Sequence, residues 1–288
     1  GRIGDVRAVR PLAGLLASDR STDVREMAAF ALGEIESIDG CDAILGILDP
    51  DRRPGGTDAG VVARAVEAAG KIAAANPKDE RSKTLGKAIL AVLDFEHNKR
   101  SRAFDDIVML SLTAVLRARP EGGADSVKNF LRYSNPRIVS DALNTLTRLR
   151  AKNANSEVRE LLSTHKDAVV RANAARVLGA AEDNDSFDLL LKAAMGDPDL
   201  RVRVAAIRSL ASLKDQRAAE RLIAQGREML IPIHGDPGPV RPGQKISNLK
   251  PIEVPIPKNE LLEIAAAIGR LLTNTENIAA ITFLDDLR

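Results

Sequence analysis

Apolar residues recur along this chain in blocks that share one spacing. In the block starting at Val24, apolar side chains stand at offsets 0, 4, 5, 8 and 11 (Val24, Ala28, Ala29, Leu32 and Ile35), which is one face of a helix with 3.6 residues per turn. Val170 to Gly179 matches that block almost position for position, and Val202 with Ala206, Ile207, Leu210 and Leu213 repeats its offsets. Further blocks start at Val61, Ile107 and Ile138, and a seventh ends in Ala265, Ala266, Ala267, Ile268 and Gly269. Successive anchors from Val24 to Val202 are 37, 46, 31, 32 and 32 residues apart, so the base period is near 32 with loop insertions early in the chain.

A second apolar helix pattern is expected before each of these blocks: Val9, Leu12, Leu15 and Leu16; Ile44, Leu45, Ile47 and Leu48; Leu85, Ile89, Leu90 and Leu93; Val158, Leu161 and Leu162; Phe187, Leu190 and Leu191. Turn signals such as Asp49-Pro50, Asn135-Pro136 and Asp197-Pro198 separate the two patterns, which predicts antiparallel pairs, helix A then helix B. One such hairpin cannot cover its own apolar face, so neighbouring pairs must stack.

The period and the Asp-x-x-Val-Arg-x-x-Ala-Ala type of signature resemble the HEAT-repeat family, in particular its short bacterial, phycobilisome-lyase-like units, over nearly the whole length. The resemblance implies an all-α fold, a right-handed α-solenoid of stacked antiparallel helix pairs. It further implies a single domain over residues 1–288 with about seven to eight repeats. Gly1 to Asp5 reads as the tail of a B helix, and Glu276 to Arg288 as an A helix without its B partner, so the sequence is expected to be a piece of a longer chain. The pattern breaks from Ile231 to Asn259, where seven of the 14 prolines fall and no helix is expected. Ile252, Val254 and Ile256 alternate there in an extended stretch suited to lying along a surface.

Composition narrows the picture. Ala and Leu supply about a quarter of the residues, a mixture that favours closely packed helices. Aromatics are only 2%, with no Trp and one Tyr (Tyr133), so platforms for stacking bases are few. The 42 basic and 40 acidic residues leave a formal charge of +2, too little for a field that gathers nucleic acid or anionic lipid. Nucleic-acid binding is therefore not expected. The longest run free of Asp, Glu, Lys and Arg, Ile107 to Leu116, is about half of what spans a bilayer. No charged-then-apolar leader stands at the start, and the compartment is not readable.

Candidate chemistry is sparse. Cys41 is the only cysteine, which excludes an internal disulfide or a Cys-built metal site. His97, His165 and His234 stand apart, without the close spacing of a ligand set or the paired His-Glu motifs of the HEAT-repeat hydroxylases. Gly238 to Lys245 is a poor match to a phosphate loop, since prolines interrupt it and no Ser or Thr follows the Lys. No catalytic residue, metal site or cofactor is implied. Asp23 with Arg25, Asp167 with Arg171, and Asp199 with Arg203 recur at the starts of B helices, as expected for helix capping and an Asp/Arg stack between repeats.

In such a solenoid the B helices line the concave face, and offsets 2, 3, 6 and 10 face the groove. The candidate groove residues are Met27, Phe30, Arg64, Met109, Asn144, Arg148, Asn173, Arg176 and Arg208, and the same offsets give Glu26, Glu34, Glu67, Lys71, Arg117, Asp141, Glu263 and Arg270 beside them. Arg148, Arg176 and Arg208 would form a cationic strip for carboxylates or an acidic peptide, and Met27, Phe30 and Met109 a more apolar end. A solvated helix face is the alternative reading of the same positions. The function expected is a non-catalytic scaffold that binds a protein or peptide, with the proline-rich arm at the site. The alternatives that the resemblance implies are a repeat arm of a larger enzyme, for example beside a cyclophilin-type prolyl isomerase domain, or a chromophore-lyase-like protein. A neighbouring domain of the same chain would then be the partner. The oligomeric state is left open.

Overall fold

The computed structural model describes residues 4–49, 58–98, 104–234 and 258–287. Among them there are fifteen α-helices and no strand, which places the chain in the all-α solenoid class built from helix pairs. The helices divide into two compact units, Gly1–Ala154 and Asn155–Arg288.

In the first unit the pairs are α1 (Val9–Ser18) with α2 (Thr22–Ile35), α3 (Cys41–Leu48) with α4 (Ala59–Ala75), α5 (Glu80–Asn98) with α6 (Asp105–Ala118), and the short α7 (Gly123–Lys128) with α8 (Pro136–Leu149). In the second they are α9 (Asn155–Thr164) with α10 (Ala168–Ala180), α11 (Phe187–Gly196) with α12 (Leu200–Leu213), and α13 (Arg217–His234) with α14 (Lys258–Leu271), followed by α15 (Ile278–Asp286). The B helices stack on one another in each unit, α2 on α4 on α6 on α8 and α10 on α12 on α14, with each A helix against its own B partner. The anchors Val61, Ile107, Ile138, Val170 and Val202 are all buried, as the repeat spacing requires.

The helices begin and end by one local grammar. Asp58, Asn135, Asp167 and Asp199 each cap a B helix, accepting from backbone N–H groups at 2.7–3.0 Å. Pro136 follows Asn135 at the first helical position, where its missing N–H is harmless. In α2 the cap is Ser21, not Asp23, which sits inside the first turn and favours the positive end of the helix dipole. At the other end, Glu36, Arg119, Arg150, Glu182 and Lys214 turn the chain with φ between 47° and 58°, a left-handed conformation usually given to glycine.

Small residues set how closely B helices approach. A Cβ on Gly33 would lie 2.8 Å from the Ala68 Cα, and one on Gly70 would lie 2.7 Å from the Ala114 Cα. Gly179 meets Ser209 in the same way, 2.6 Å from its Oγ, and that hydroxyl donates to the Ala175 carbonyl of the neighbouring helix at 2.7 Å. Each glycine stands nine residues after its anchor and faces the residue seven after the next anchor.

Two expectations need correction. The A helix before α8 has no long apolar pattern because it is only α7 and a 3-10 turn, Asn129–Arg132; Phe130 fills the space, buried between His97 and Tyr133 at ring distances of 5.5 and 5.7 Å. The proline-rich stretch is not helix-free at its edges, since α13 continues through Pro232 to His234 and α14 begins at Lys258. A proline forfeits one backbone bond and bends a helix, and here the preceding turns of α13 already hold it. The rest of that stretch, with Ile252, Val254, Ile256 and the Gly238 to Lys245 segment, lies outside the described residues, as do Gly1 to Ile3.

Candidate functional site

In the first unit the exposed edge of the stacked B helices carries two cavities that meet on α6. The first, of about 440 Å³, lies over α2, α4 and α6 and is lined by Glu26, Ala63, Arg64, Phe104, Met109 and Leu110 among others. The second, of about 760 Å³, lies between α6 and α8, and Met109 and Leu110 belong to both. Seven of the groove positions read from the sequence fall here: Glu26 and Arg64 in the first cavity, Arg117, Asp141, Asn144 and Arg148 in the second, and Met109 in both.

The second cavity lies where the chain departs from the packing rule. Leu116 occupies the position in α6 that Gly33 and Gly70 hold in α2 and α4, opposite Thr145 of α8. A leucine there cannot admit the next backbone, so α6 and α8 pack less extensively than α4 and α6 do. They remain tied at one end by Asn135 Nδ2, which donates to Asp105 at 2.8 Å, and at mid-helix by Thr145 Oγ1, which donates to the Leu112 carbonyl at 3.4 Å. The floor of the resulting cleft is Leu112, Leu116 and Thr145.

Its rim is strongly cationic. Four arginines, Arg117, Arg119, Arg137 and Arg148, face one carboxylate, Asp141, which already pairs with Arg137 at 3.4 Å. Among the described residues, Arg117, Arg119 and Arg148 have no ion-pair partner, and all three are exposed. Asn144 and Thr113 add exposed amide and hydroxyl groups. Guanidinium groups in this setting offer forked, always-charged donors for carboxylates or phosphates.

The adjoining face of α2 and α4 is electrically closed. Lys71 Nζ bridges Glu34 at 2.6 Å and Glu67 at 2.7 Å, while Arg64 pairs with Glu67 at 2.8 Å. Burial works against the charge on Glu67, yet the hydrogen bonds from Lys71 and Arg64 outweigh it and hold its carboxyl below the ordinary range. Lys71 and Arg64 also lie over the Phe30 ring at 4.9 and 5.8 Å, so Phe30 is covered by cations and lines neither cavity. Met27 is 61% exposed and stands apart from both.

The second unit places its candidates differently. Asn173 does not face solvent: it is 3% exposed, and its amide oxygen accepts from Arg176 at 2.6 Å. Its offset falls on the side of α10 that packs against the neighbouring helices, where only a satisfied amide is tolerated. Arg208 pairs with Glu263 at 2.7 Å and so is not a free cation. The arginines at the starts of the B helices are structural clamps. Arg171 makes two bonds to Asp197 at 2.8 and 2.9 Å, and Arg203 grips the buried Glu260 at 2.8–3.0 Å. Each also donates to carbonyls at the end of its preceding turn, as Arg25 does to Leu16 in the first unit. For Arg171 and Arg203 the partner is thus a carboxylate of the following repeat, and the upstream Asp167 and Asp199 cap the helix.

Arg119, Arg137, Phe104 and Leu116 belong to the cavities and are not among the sequence candidates. Leu116 carried a signal, the loss of the glycine found nine residues after Val24, Val61 and Val170. Cys41 is buried, and burial pushes its thiol up, away from the reactive thiolate. No helix among the described residues is long and apolar enough to cross a membrane.

The HEAT repeat family matches residues 155–228, which lie wholly in the second unit, so the HEAT repeats read from the sequence are present there. No curated protein matches the chain. Among solved structures the chain is similar to the complex of CpcE and CpcF of phycocyanin lyase from Nostoc sp. PCC7120, at 15% identity over 97% of this chain and 93% of that one, with a TM-score of 0.47. An engineered protein matches at 17% identity over 93% and 97% of the two chains, with a TM-score of 0.39. Human deoxyhypusine hydroxylase matches at 18% over 72% and 89%, with a TM-score of 0.38. With every TM-score below 0.5, these likenesses carry no argument about what this chain does.

Proposed function

We propose that this HEAT-repeat chain is a non-catalytic scaffold that holds a protein or peptide partner on the exposed edge of its first-unit B helices. The carrying observation is the cleft between α6 and α8, where three exposed arginines without ion-pair partners stand around a floor of Leu112, Leu116 and Thr145. Such a set of unspent guanidinium groups along an open groove is what a recognition face offers a partner. Arginines, one already paired carboxylate, an amide and hydroxyls also make a set that binds rather than moves protons or attacks a substrate.

A displayed random peptide library selected on the full chain tests the reading, with Asn144→Trp as the challenge. Asn144 is exposed on the cleft wall, so a tryptophan there obstructs the cleft without disturbing the core. Enriched peptides should lose at least tenfold in affinity for Asn144→Trp. Unchanged affinity, or no enrichment at all, would overturn this face as the binding site.

A further inference from the structure

We infer that the occupant of this face is an acidic peptide segment with one apolar anchor, the anchor seated over Met109 and Leu110 and the carboxylates at the Arg117, Arg119 and Arg148 end. This rests on the scaffold reading above and adds the chemistry and polarity of the partner.

Two cavities of opposite character share a wall. The one over α2, α4 and α6 presents Phe104, Met109, Leu110 and Ala63, with Phe104 53% exposed. Its charged residues, Glu26, Asp106 and Arg64, leave no cationic surplus. Of the two cavities, the cleft between α6 and α8 is the one with a surplus of positive charge. Because Met109 and Leu110 line both, one chain crossing α6 reaches an apolar pocket on one side and guanidinium groups on the other. Arg117 and Arg148 occupy the same repeat position, ten residues after Ile107 and Ile138, so they flank the cleft from its two walls.

Length follows from helix geometry. Arg137 and Arg148 mark the extent of the cleft along α8, a distance of about 16 Å at 1.5 Å per residue. An extended peptide covers that with about five residues. The segment is therefore short, with its acidic residues within about five positions of the anchor.

A peptide is favoured over a nucleic acid by the same surface. The whole chain is close to neutral at +2, which gives no long-range field for a phosphate backbone. The cleft also holds no aromatic ring on which a base could stack.

The test uses the full chain and three labelled peptides of twelve residues: a Leu-anchored Glu/Asp segment, the same segment with Lys in place of every acid, and the acidic segment with its Leu replaced by Ser. Fluorescence anisotropy should show the anchored acidic peptide binding at least tenfold more tightly than either of the others. In the double variant Arg117→Glu/Arg148→Glu the preference should reverse, the Lys peptide gaining at least tenfold over the acidic one. An unfolded variant would bind neither, so the reversal is specific to the cleft. Equal binding of the acidic and Lys peptides, or no reversal in the double variant, overturns the inference. So does competition by a single-stranded oligonucleotide as strong as that of the unlabelled peptide. If the library instead yields neutral peptides that Asn144→Trp excludes, the scaffold reading stands and the acidic occupant falls.

Discussion

Between α4 and α6 the backbones close until Gly70 leaves no room for a Cβ, which would stand 2.7 Å from the Ala114 Cα. One joint further along, between α6 and α8, Leu116 takes the place of that glycine and a cleft of about 760 Å³ opens. The two joints share the same repeat, the same register and adjacent sequence. The change from glycine to leucine at this position goes with the change from a closed joint to an open one. The second unit adds a third solution at its joints, where Gly179 meets Ser209 but charge also spans repeats through Arg171 with Asp197 and Arg203 with Glu260.

The sharpest way to break the contrast is to put the wedge into the tight joint. Gly70→Leu should lower stability by about 3 kcal/mol, since the new side chain meets backbone that cannot retreat without parting α4 from α6. A urea midpoint within error of the wild type would show that glycine does not set the spacing.

Removing a clamp from the second unit should cost somewhat less. Arg171→Met leaves Asp197, whose side chain is 10% exposed, without its bidentate partner, at about 2 kcal/mol near neutral pH. The effect has a pH signature. Burial opposes the charge on Asp197, but the Arg171 hydrogen bonds outweigh it and hold the carboxyl below its ordinary value. A carboxyl depressed in the folded state stabilises the fold above its unfolded pKa of about 3.9 and loses that contribution as pH falls through the folded value. The gap between wild type and Arg171→Met should therefore be full at pH 7 and narrow below pH ~4. A gap that is constant from pH 7 to pH 3 in urea titrations would remove the ion pair from the explanation.

The smallest effect concerns the helix exits. Arg119 holds φ at 47° where a glycine has no Cβ penalty. Arg119→Gly should raise stability by about 0.5–1 kcal/mol while weakening the acidic peptide, which separates the residue's local strain from its role at the cleft. A loss of stability instead would mean that the Arg119 side chain packs as well as turns.

Much of this was legible in the residues. The apolar offsets locate six of the seven B helices by their anchors, and Asp58, Asn135, Asp167 and Asp199 cap their helices as their side chains dictate. These are local properties, fixed within a few residues of chain. The short α7 was not read from the sequence, because Val127, Phe130 and Leu131, over little more than one turn, do the work that a longer apolar stripe does in the other A helices. Met109, Asn144 and Arg148 were found by offset, whereas Asn173, at a similar offset, proved to be buried.

The sequence by itself determined the repeat, its period and the pairing of helices, since periodicity follows from residue order alone. Tertiary structure decided which arginines are spent and which are free. Arg171, Arg203 and Arg208 meet carboxylates 26, 57 and 55 residues away in the chain, pairings that no local pattern encodes. Arg117, Arg119 and Arg148 remain open at the joint of α6 and α8, where Leu116 stands between two helices whose spacing is set only when one packs against the other.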